Sequence, residues 1–162
     1  MARGTRAKLD LEEFIPYRLS LASNAVSILI AQSYEKLFGI KMVEWRVMAV
    51  LAEGGELTQQ DLVGLTKMDK VSVSRAAQQL EKRKLLRRVQ DPKDARSLRL
   101  SLTSTGMTLY KQVVPAALDF ETEVLEGLTA AEVKTLKGIL RRLETTATHL
   151  LERLTPDDGS NG

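Results

Sequence analysis

Apolar residues recur at helical spacing at the start of the chain. From Phe14 to Phe38 they follow one another every three or four residues, with Pro16 near the beginning of the run and Gly39 directly after it. Because an α-helix repeats about every 3.6 residues and tolerates proline in its first turn, this pattern predicts one long first helix. A second helix is predicted over Val43–Ala52, before a pair of glycines. We expect it to bury Trp45, Met48 and Leu51.

Two short helices separated by a tight turn are predicted next. Thr58 can cap the first, because its hydroxyl can accept the N–H of Asp61 while the Asp61 carboxylate reaches back to the cap. Leu62 and Leu65 form the predicted buried face of this helix. The second helix spans about Lys70–Arg83, and the pair is typical of a helix-turn-helix. Its predicted inward residues are Val73, Ala76, Ala77 and Leu80.

A β-hairpin is predicted after these helices, with strands over Leu85–Gln90 and Ser97–Thr103. The second strand alternates apolar and polar residues, which is typical of a strand with one buried face. The inward face would hold Leu98, Leu100 and Leu102. The outward face would hold Ser97, Arg99 and Ser101. The residues between the strands, DPKDAR, have the composition of a turn.

Two longer helices are predicted at the end of the chain. Thr103 can cap the fifth helix, which runs to about Gly127 and which Pro115 should bend. Thr129 and Glu132 form a second capping-box pattern at the start of the last helix. Its apolar residues recur at alternating spacings of three and four: Val133, Leu136, Leu140, Leu143, Ala147, Leu150 and Leu154. A one-sided stripe of this kind needs a partner face, either in a second copy of the chain or within the same chain.

Basic residues concentrate on the helix-turn-helix and the hairpin. Between Lys67 and Arg99 eleven Lys and Arg residues stand against four Asp and Glu residues, a net charge of +7 in a chain whose total is +3. The remaining residues therefore carry −4. A charge gathered in this way on one helix and one hairpin is typical of a surface that binds a polyanion.

The second helix of a helix-turn-helix lies in the major groove of DNA, where its outward side chains contact base edges and phosphates. Arg suits guanine, Gln suits adenine, Ser adapts to either, and Lys suits phosphate. The predicted outward set is Lys70, Ser72, Ser74, Arg75 and Gln78. The alternative is a solvated helix face that happens to be basic.

The hairpin tip carries a second set of candidate DNA contacts. Arg96 can place its guanidinium in a narrow minor groove, where the negative potential is enhanced. Asp94 would organise the turn, and Lys93 would meet a backbone phosphate. The alternative for Asp94 and Arg96 is a surface ion pair, worth less than about 1 kcal/mol.

Composition excludes several other classes of protein. With 43% apolar and 28% charged residues the chain is ordinary for a soluble globular protein. It has no cysteine and one histidine, which excludes thiol-based redox sensing and argues against a metal sensor, so no cofactor or metal is expected. No secretory signal, no membrane-length apolar run and no catalytic motif is apparent, so we expect a cytoplasmic protein that is not an enzyme.

The combined motifs resemble the MarR (multiple antibiotic resistance regulator) family of winged-helix repressors. The resemblance rests on MDKVSVSRAAQQLEKRKLL followed by DPKDARSLRLSLTSTG, and on EWRV in the second helix. The family's wing pattern is matched at Asp91, Asp94, Arg96, Leu100, Leu102, Thr103 and Gly106. Two positions depart from it, since Lys93 stands where the family usually has Arg and Lys84 where it usually has the Gly that ends the recognition helix. If Lys84 takes a positive φ, the strain is on the order of 1 kcal/mol.

The resemblance implies a mainly α fold with a small β-hairpin wing: a winged helix-turn-helix domain plus a helical dimerisation domain built from both chain ends. The expected parts are an N-terminal arm and dimerisation helix (1–38), the DNA-binding domain (40–103), dimerisation helices (104–154) and a disordered tail (155–162). The arm is either an ordinary terminus or a contact to the DNA backbone. The expected partners are double-stranded DNA with an inverted-repeat operator and a second copy of the chain.

The resemblance also implies that a small aromatic or acyl-type effector releases the DNA, from a site where the dimerisation and DNA-binding parts meet. The candidate ligand contacts are Tyr17, Arg18, Asn24, Trp45 and Tyr110, each of which could instead be a packing or capping residue. The expected function is therefore a ligand-responsive transcriptional regulator, a repressor. The alternative is an architectural DNA-binding protein that responds to no effector.

Overall fold

The computed structural model describes residues 9–91 and 98–154, over which the chain forms six helices and three strands. In chain order they are α1 (Ile15–Phe38), α2 (Met42–Gly54), β1 (Leu57–Thr58), α3 (Gln59–Thr66), α4 (Lys70–Lys82), β2 (Leu86–Gln90), β3 (Leu98–Leu102), α5 (Ser104–Val124) and α6 (Ala130–Leu154). The chain divides into two compact units, the first ending at Phe120 and the second beginning at Glu121. The predicted fold class, mainly helical with a small β wing, is confirmed.

Local sequence signals set the ends of the first two helices. α1 has its proline in the first turn and ends at Gly39, whose φ of 62° is left-handed, as the position after a helix often requires. α2 buries Met48 and Leu51 as predicted, whereas Trp45 is only half-buried. Both helices begin and end within a residue or two of the predicted positions.

The core of the first unit lies between α2, α3, α4 and the sheet. Its largest fully buried side chains include Ile40, Met48, Leu51, Leu62, Leu80 and Leu100. All four residues predicted to face inward from α4 are buried. The prediction for Leu65 is wrong, because this side chain is 59% exposed. On a helix that advances about 100° per residue, the partly buried Val63 and Thr66 continue the inward face of Leu62, and Leu65 falls outside that arc.

The sheet is antiparallel, with the strand order β1-β3-β2. Its short edge strand, β1, was not predicted from the sequence. The register pairs Leu57 of β1 and Arg88 of β2 with Leu100, which is 1% exposed at the centre of the sheet. The strand β3 is thus held on both sides.

Two burial predictions for β3 are wrong. Leu98 faces the same groove as Leu100 but is 47% exposed, because it lies beyond the two residues that β1 covers. Ser101 was expected to face solvent, yet it is buried. Arg87 lies directly opposite on β2, and its Nε donates a 3.0 Å hydrogen bond to the Ser101 hydroxyl, so the arginine covers the serine.

The second unit contains the end of α5 and all of α6. Thr129 and Glu132 form the predicted capping box: the Glu132 N–H donates to the Thr129 hydroxyl at 3.3 Å, and the Thr129 N–H donates to the Glu132 carboxylate at 2.8 Å. Lys137 and Glu121 form an ion pair at 2.9 Å. No residue of α6 is buried. Val133, at the start of the apolar stripe, is partly buried, and the leucines that follow it are exposed, from 36% at Leu136 to 77% at Leu154.

A membrane-spanning segment was not expected. Across residues 9–91 and 98–154, no helix is both long enough and apolar enough to cross a bilayer.

Candidate nucleic-acid interface

The helix α3 begins at the predicted capping box. The Asp61 N–H donates to the Thr58 hydroxyl at 3.1 Å, and the Thr58 N–H donates to the Asp61 carboxylate at 2.9 Å. Hydrogen bonds from the hydroxyl and the N–H of Thr58 hold the pKa of Asp61 below its usual value. The helix ends at Lys67, whose left-handed φ of 54° turns the chain toward α4. This paired capping and sharp turn form the predicted helix-turn-helix.

The helix α4 is capped by Asp69. Its carboxylate accepts the Ser72 N–H at 2.8 Å and the Ser72 hydroxyl at 2.6 Å. These two hydrogen bonds lower the pKa of Asp69, and the bond from the Ser72 hydroxyl has the larger effect. The Ser72 hydroxyl proton is therefore already donated within the protein, and Ser72 serves as part of the cap.

The other predicted contacts of α4 lie on its outer side. Lys70, Arg75 and Gln78 are exposed, and Ser74 is partly buried. The Gln78 amide donates a weak 3.4 Å hydrogen bond to the Ser74 hydroxyl, which leaves the amide free to turn toward a ligand. The predicted set thus offers two long cations and one amide at the surface, beside the exposed Gln79 and Lys82 of the same helix.

Ion pairs with carboxylates of the same chain neutralise part of the positive charge between Lys67 and Arg99. Of the nine basic residues in this range that the structure describes, four form ion pairs: Arg83 with Glu44, Arg87 with Glu56, Arg88 with Glu81, and Arg99 with Asp91. The sequence count of charges could not separate these from the other five, which are exposed: Lys67, Lys70, Arg75, Lys82 and Lys84. The described positive surface available to a polyanion therefore lies on α4 and on the lysines that flank it.

Lys84 ends the recognition helix in a left-handed conformation, with φ of 58°. The Leu85 N–H donates to the Leu80 carbonyl, and the Lys84 N–H to the Glu81 carbonyl, both at 2.9 Å. This pair of bonds is the Schellman motif, which usually places glycine at the left-handed position. Lys84 thus takes the positive φ at which an L-residue is strained by about 1 kcal/mol.

The base of the wing is held by an ion pair. Arg99 Nε lies 2.6 Å from the Asp91 carboxylate, and Asp91 is 7% exposed. A second Arg99 nitrogen donates to the Glu56 carbonyl at 3.4 Å, which ties β3 to the residue before β1. The predicted contacts of the wing tip, Lys93, Asp94 and Arg96, lie outside the described residues.

Gly106 lets the first turn of α5 pass close to the start of the wing. A Cβ at this position would lie 2.0 Å from the carbonyl oxygen of Leu85. The same carbonyl accepts the Thr103 N–H at 3.0 Å, and the Thr103 hydroxyl caps α5 by accepting the Gly106 N–H at 3.0 Å. The glycine in the wing pattern is therefore required by backbone contact.

Two of the five predicted ligand contacts meet in an aromatic cluster. The rings of Trp45 and Tyr110 stack with centroids 5.4 Å apart, and Tyr34 meets Trp45 edge-on at the same distance. Phe120 lies 6.2 Å from Tyr34. Burial raises the pKa of the Tyr34 hydroxyl. Tyr34 lies within the apolar run predicted for the first helix, but its ring partners come from other helices and leave no local signal in the sequence.

The other three predicted ligand contacts, Tyr17, Arg18 and Asn24, are exposed on α1. Tyr17 precedes Tyr34 by about 25 Å along the helix axis, and Asn24 precedes it by about 15 Å. Within one chain, these side chains are therefore not gathered around the aromatic cluster.

The part of the chain that the structure describes contains no group of three or more potential metal-ligating side chains. His149 is exposed on α6.

Comparison with known proteins places these features in one family. The model of the MarR family matches residues 38–97. The curated transcriptional regulator FarR of Neisseria gonorrhoeae is 31% identical over 100 residues, which are 62% of this chain and 68% of FarR. The chain spans 61% of the length of another curated relative, the uncharacterised regulator YwaE of Bacillus subtilis.

Two solved structures have closely similar folds. The MarR/EmrR family transcriptional regulator of Acinetobacter sp. ADP1 superposes with a TM-score of 0.80 at 26% identity, over 87% of this chain and 99% of that one. BpsR of Bordetella bronchiseptica, whose DNA binding is regulated by 6-hydroxynicotinic acid, superposes with a TM-score of 0.79 at 25% identity, over 85% and 98%.

Proposed function

Because this chain belongs to the MarR family of winged-helix transcriptional regulators, we propose that it binds an inverted-repeat operator as a homodimer and represses transcription. A small aromatic or acyl-type effector would release it from DNA. The family is one of DNA-binding regulators and not of enzymes, so the protein would act on DNA in the cytoplasm without a cofactor.

The exposed outer side of α4 carries this proposal. Arg75 can form hydrogen bonds with the O6 and N7 atoms of guanine in the major groove, and Gln78 can form them with the N6 and N7 atoms of adenine. Lys70, at the helix start, suits a phosphate, and Ser74 can adapt to either kind of partner. The two capping interactions at Thr58 and Asp69 support it, because they hold both helices in fixed orientations at their first turns.

The wing would supply a second contact, in the minor groove. Arg96 would enter the groove, Asp94 would organise the turn, and Lys93 would meet the backbone. The ion pair between Asp91 and Arg99 supports this role, because it holds the strands from which the tip extends.

Exposed apolar surface supports a homodimer. The stripe on α6 is exposed from Leu136 to Leu154, and α1 also presents large apolar side chains, among them Ile15 at 64% and Ile28 at 57% exposure. Large contiguous apolar patches are rare on the surfaces of monomeric proteins. We propose that residues 1–38 and 104–154 form the dimerisation part and residues 40–103 the DNA-binding part. A dimer would contact two half-sites about 34 Å apart.

The aromatic cluster supports the effector proposal. The half-buried Trp45 and Tyr110 present stacked rings, which suit a flat aromatic ligand. The similar protein BpsR responds to 6-hydroxynicotinic acid, a small aromatic acid. Arg18 on the exposed side of α1 could meet the acid group of such a ligand, and Tyr17 and Asn24 its polar edge, if they were contributed by the second copy.

The experiment that tests the proposal is fluorescence anisotropy of the purified protein with DNA from upstream of its own gene, titrated across salt. Tight and sequence-selective binding with a steep negative slope of log K against log salt would support a regulator. Weak binding that ignores sequence would contradict it.

Trp45 is the single tryptophan of the chain, so its emission reports directly on the proposed effector region. A panel of aromatic acids, 6-hydroxynicotinic acid among them, should include one that quenches Trp45 and weakens the DNA complex. Selective DNA binding that no compound weakens would favour the alternative, an effector-independent architectural protein.

A further inference from the structure

An exposed valine stands in the middle of the recognition helix's outer face. Val71 is the second residue of α4 and is 57% exposed. At about 100° per residue, it lies about 180° around the helix from the buried Leu80 and about 40° from Arg75. Val71, Arg75 and Gln78 therefore form one row along the side of α4 that points away from the core.

This valine is not explained by folding. Among residues 39–91 and 98–103, the large apolar side chains that are exposed are Leu65, Val71 and Leu98. Of these, only Val71 lies on α4. An exposed valine contributes little hydrophobic stabilisation to the fold. Its branched side chain also makes it a weaker helix former than alanine. Stability alone would favour another residue here.

The chemistry around Val71 indicates what it contacts. The neighbouring Lys70 and Arg75 are exposed cations, so a polyanion approaching α4 would bring its surface against the valine. In the major groove the apolar group on a base edge is the C5 methyl of thymine, and small apolar side chains contact it. The residues at the start of a recognition helix are the ones that reach base edges.

The hydrogen bonding of the neighbouring Ser72 also points to Val71 as the base contact. The Ser72 hydroxyl donates to the Asp69 carboxylate at 2.6 Å and is occupied with capping the helix. The first turn of α4 therefore retains Val71 as the side chain placed at the centre of its outer face. We propose that Val71 is a specificity-determining residue that recognises a thymine through its C5 methyl group. This inference rests on the proposed function, DNA binding through α4.

Replacing thymine by uracil tests the proposal, because the exchange removes only the C5 methyl group. The probe is a duplex enriched from a randomised DNA pool by the wild-type protein, in which each thymine is replaced in turn by deoxyuridine. At one thymine position in each half-site, the exchange to uracil should weaken binding of the wild-type protein about fourfold, which is the effect of one buried methyl group. Val71→Ala should bind the thymine duplex about equally weakly and lose nothing further with uracil at that position.

The control variant is Leu65→Ala, which removes an exposed leucine of α3 and should keep the wild-type response to uracil. Val71→Ala should fold, because alanine is the better helix former and the site is exposed. An enriched duplex on which the wild type and Val71→Ala respond identically to every uracil overturns the role of Val71 while the proposed function stands. A pool from which the wild type enriches nothing overturns the proposed function, and the role of Val71 with it.

Discussion

Arg83 at the end of α4 and Glu44 in α2 join the recognition helix to the corner between the first two helices. An Arg83 terminal nitrogen lies 3.4 Å from Glu44 Oε2 and donates a 2.9 Å hydrogen bond to the Gly39 carbonyl. The same Glu44 oxygen accepts the Lys41 N–H at 3.0 Å. Glu44 is 6% exposed, so these protein groups take the place of water around its carboxylate.

Arg83→Ala should therefore destabilise the fold. It leaves a buried carboxylate with one fewer charged partner, and we expect a loss of about 1–3 kcal/mol of unfolding free energy. Urea denaturation measures this, with Lys82→Ala as the matched control, since it removes a neighbouring exposed cation. In a double-mutant cycle with Glu44→Gln, the effects of the two changes should not add. Full additivity would mean that the pair contributes nothing.

Lys84→Gly should stabilise the protein. The left-handed φ of 58° at Lys84 strains an L-residue but not glycine. Against the greater freedom of glycine in the unfolded chain, we expect a net gain of about 0.5–1 kcal/mol. Thermal or urea unfolding measures it. Lys84→Ala removes the same side chain without relieving the backbone and should gain nothing, so equal stabilities of the Gly and Ala variants would contradict the strain.

Gly106→Ala should be strongly destabilising. The added methyl group would have to displace the Leu85 carbonyl, which lies 2.0 Å from its position and holds both the wing and the start of α5. We expect a loss of about 2 kcal/mol or more. Gly64→Ala is the control on α3, where nothing lies within 4 Å of the new methyl group, and it should gain about 0.5–1 kcal/mol. A Gly106→Ala protein as stable as wild type would show that the backbone can move aside.

The sequence predicted best the features whose cause lies within a few residues. The caps at Thr58 and Thr129 and the glycine end of α1 are short-range patterns, and the structure places them where they were expected. The inward face of α4 follows from spacing alone, because the elements packed against it, α2, α3 and β2, all meet its one buried face. The positive φ at Lys84 could also be anticipated, because Lys84 stands where the family usually has a glycine.

Features that depend on distant partners were missed. The strand β1 is two residues long and exists because it pairs with β3, more than forty residues away along the chain. Ser101 is buried by an arginine on the opposite strand. The proposed role of Val71 has no such signal for a different reason, because a valine side chain neither donates nor accepts the hydrogen bonds that mark base contacts in a sequence.

The cap of α4 should make stability depend on pH. Hydrogen bonds from Ser72 hold the pKa of Asp69 below its usual value in the folded state. The stabilisation is therefore complete above the unfolded-state pKa, about 3.9, and is lost as the pH falls through the lower folded-state pKa. Asp69→Asn keeps an acceptor but cannot titrate, so its unfolding free energy should decline less steeply below about pH 4. Asp119→Asn, which removes an exposed carboxylate of α5, is the control. Coinciding curves for the two variants would contradict the role of the cap.

Arg75 and Lys70 should contribute to DNA binding in different ways, although both are exposed cations of α4. Arg75 can form two hydrogen bonds to one guanine, so Arg75→Ala should relax the preference at one base step by about 1–3 kcal/mol. Lys70 suits a phosphate, so Lys70→Ala should weaken binding to every sequence alike and reduce the salt slope by about one. Anisotropy titrations on a set of single-base operator variants at several salt concentrations measure both effects. If Arg75→Ala weakened all sequences equally, Arg75 would be a backbone contact, and base recognition would rest on its neighbours in the same row of α4.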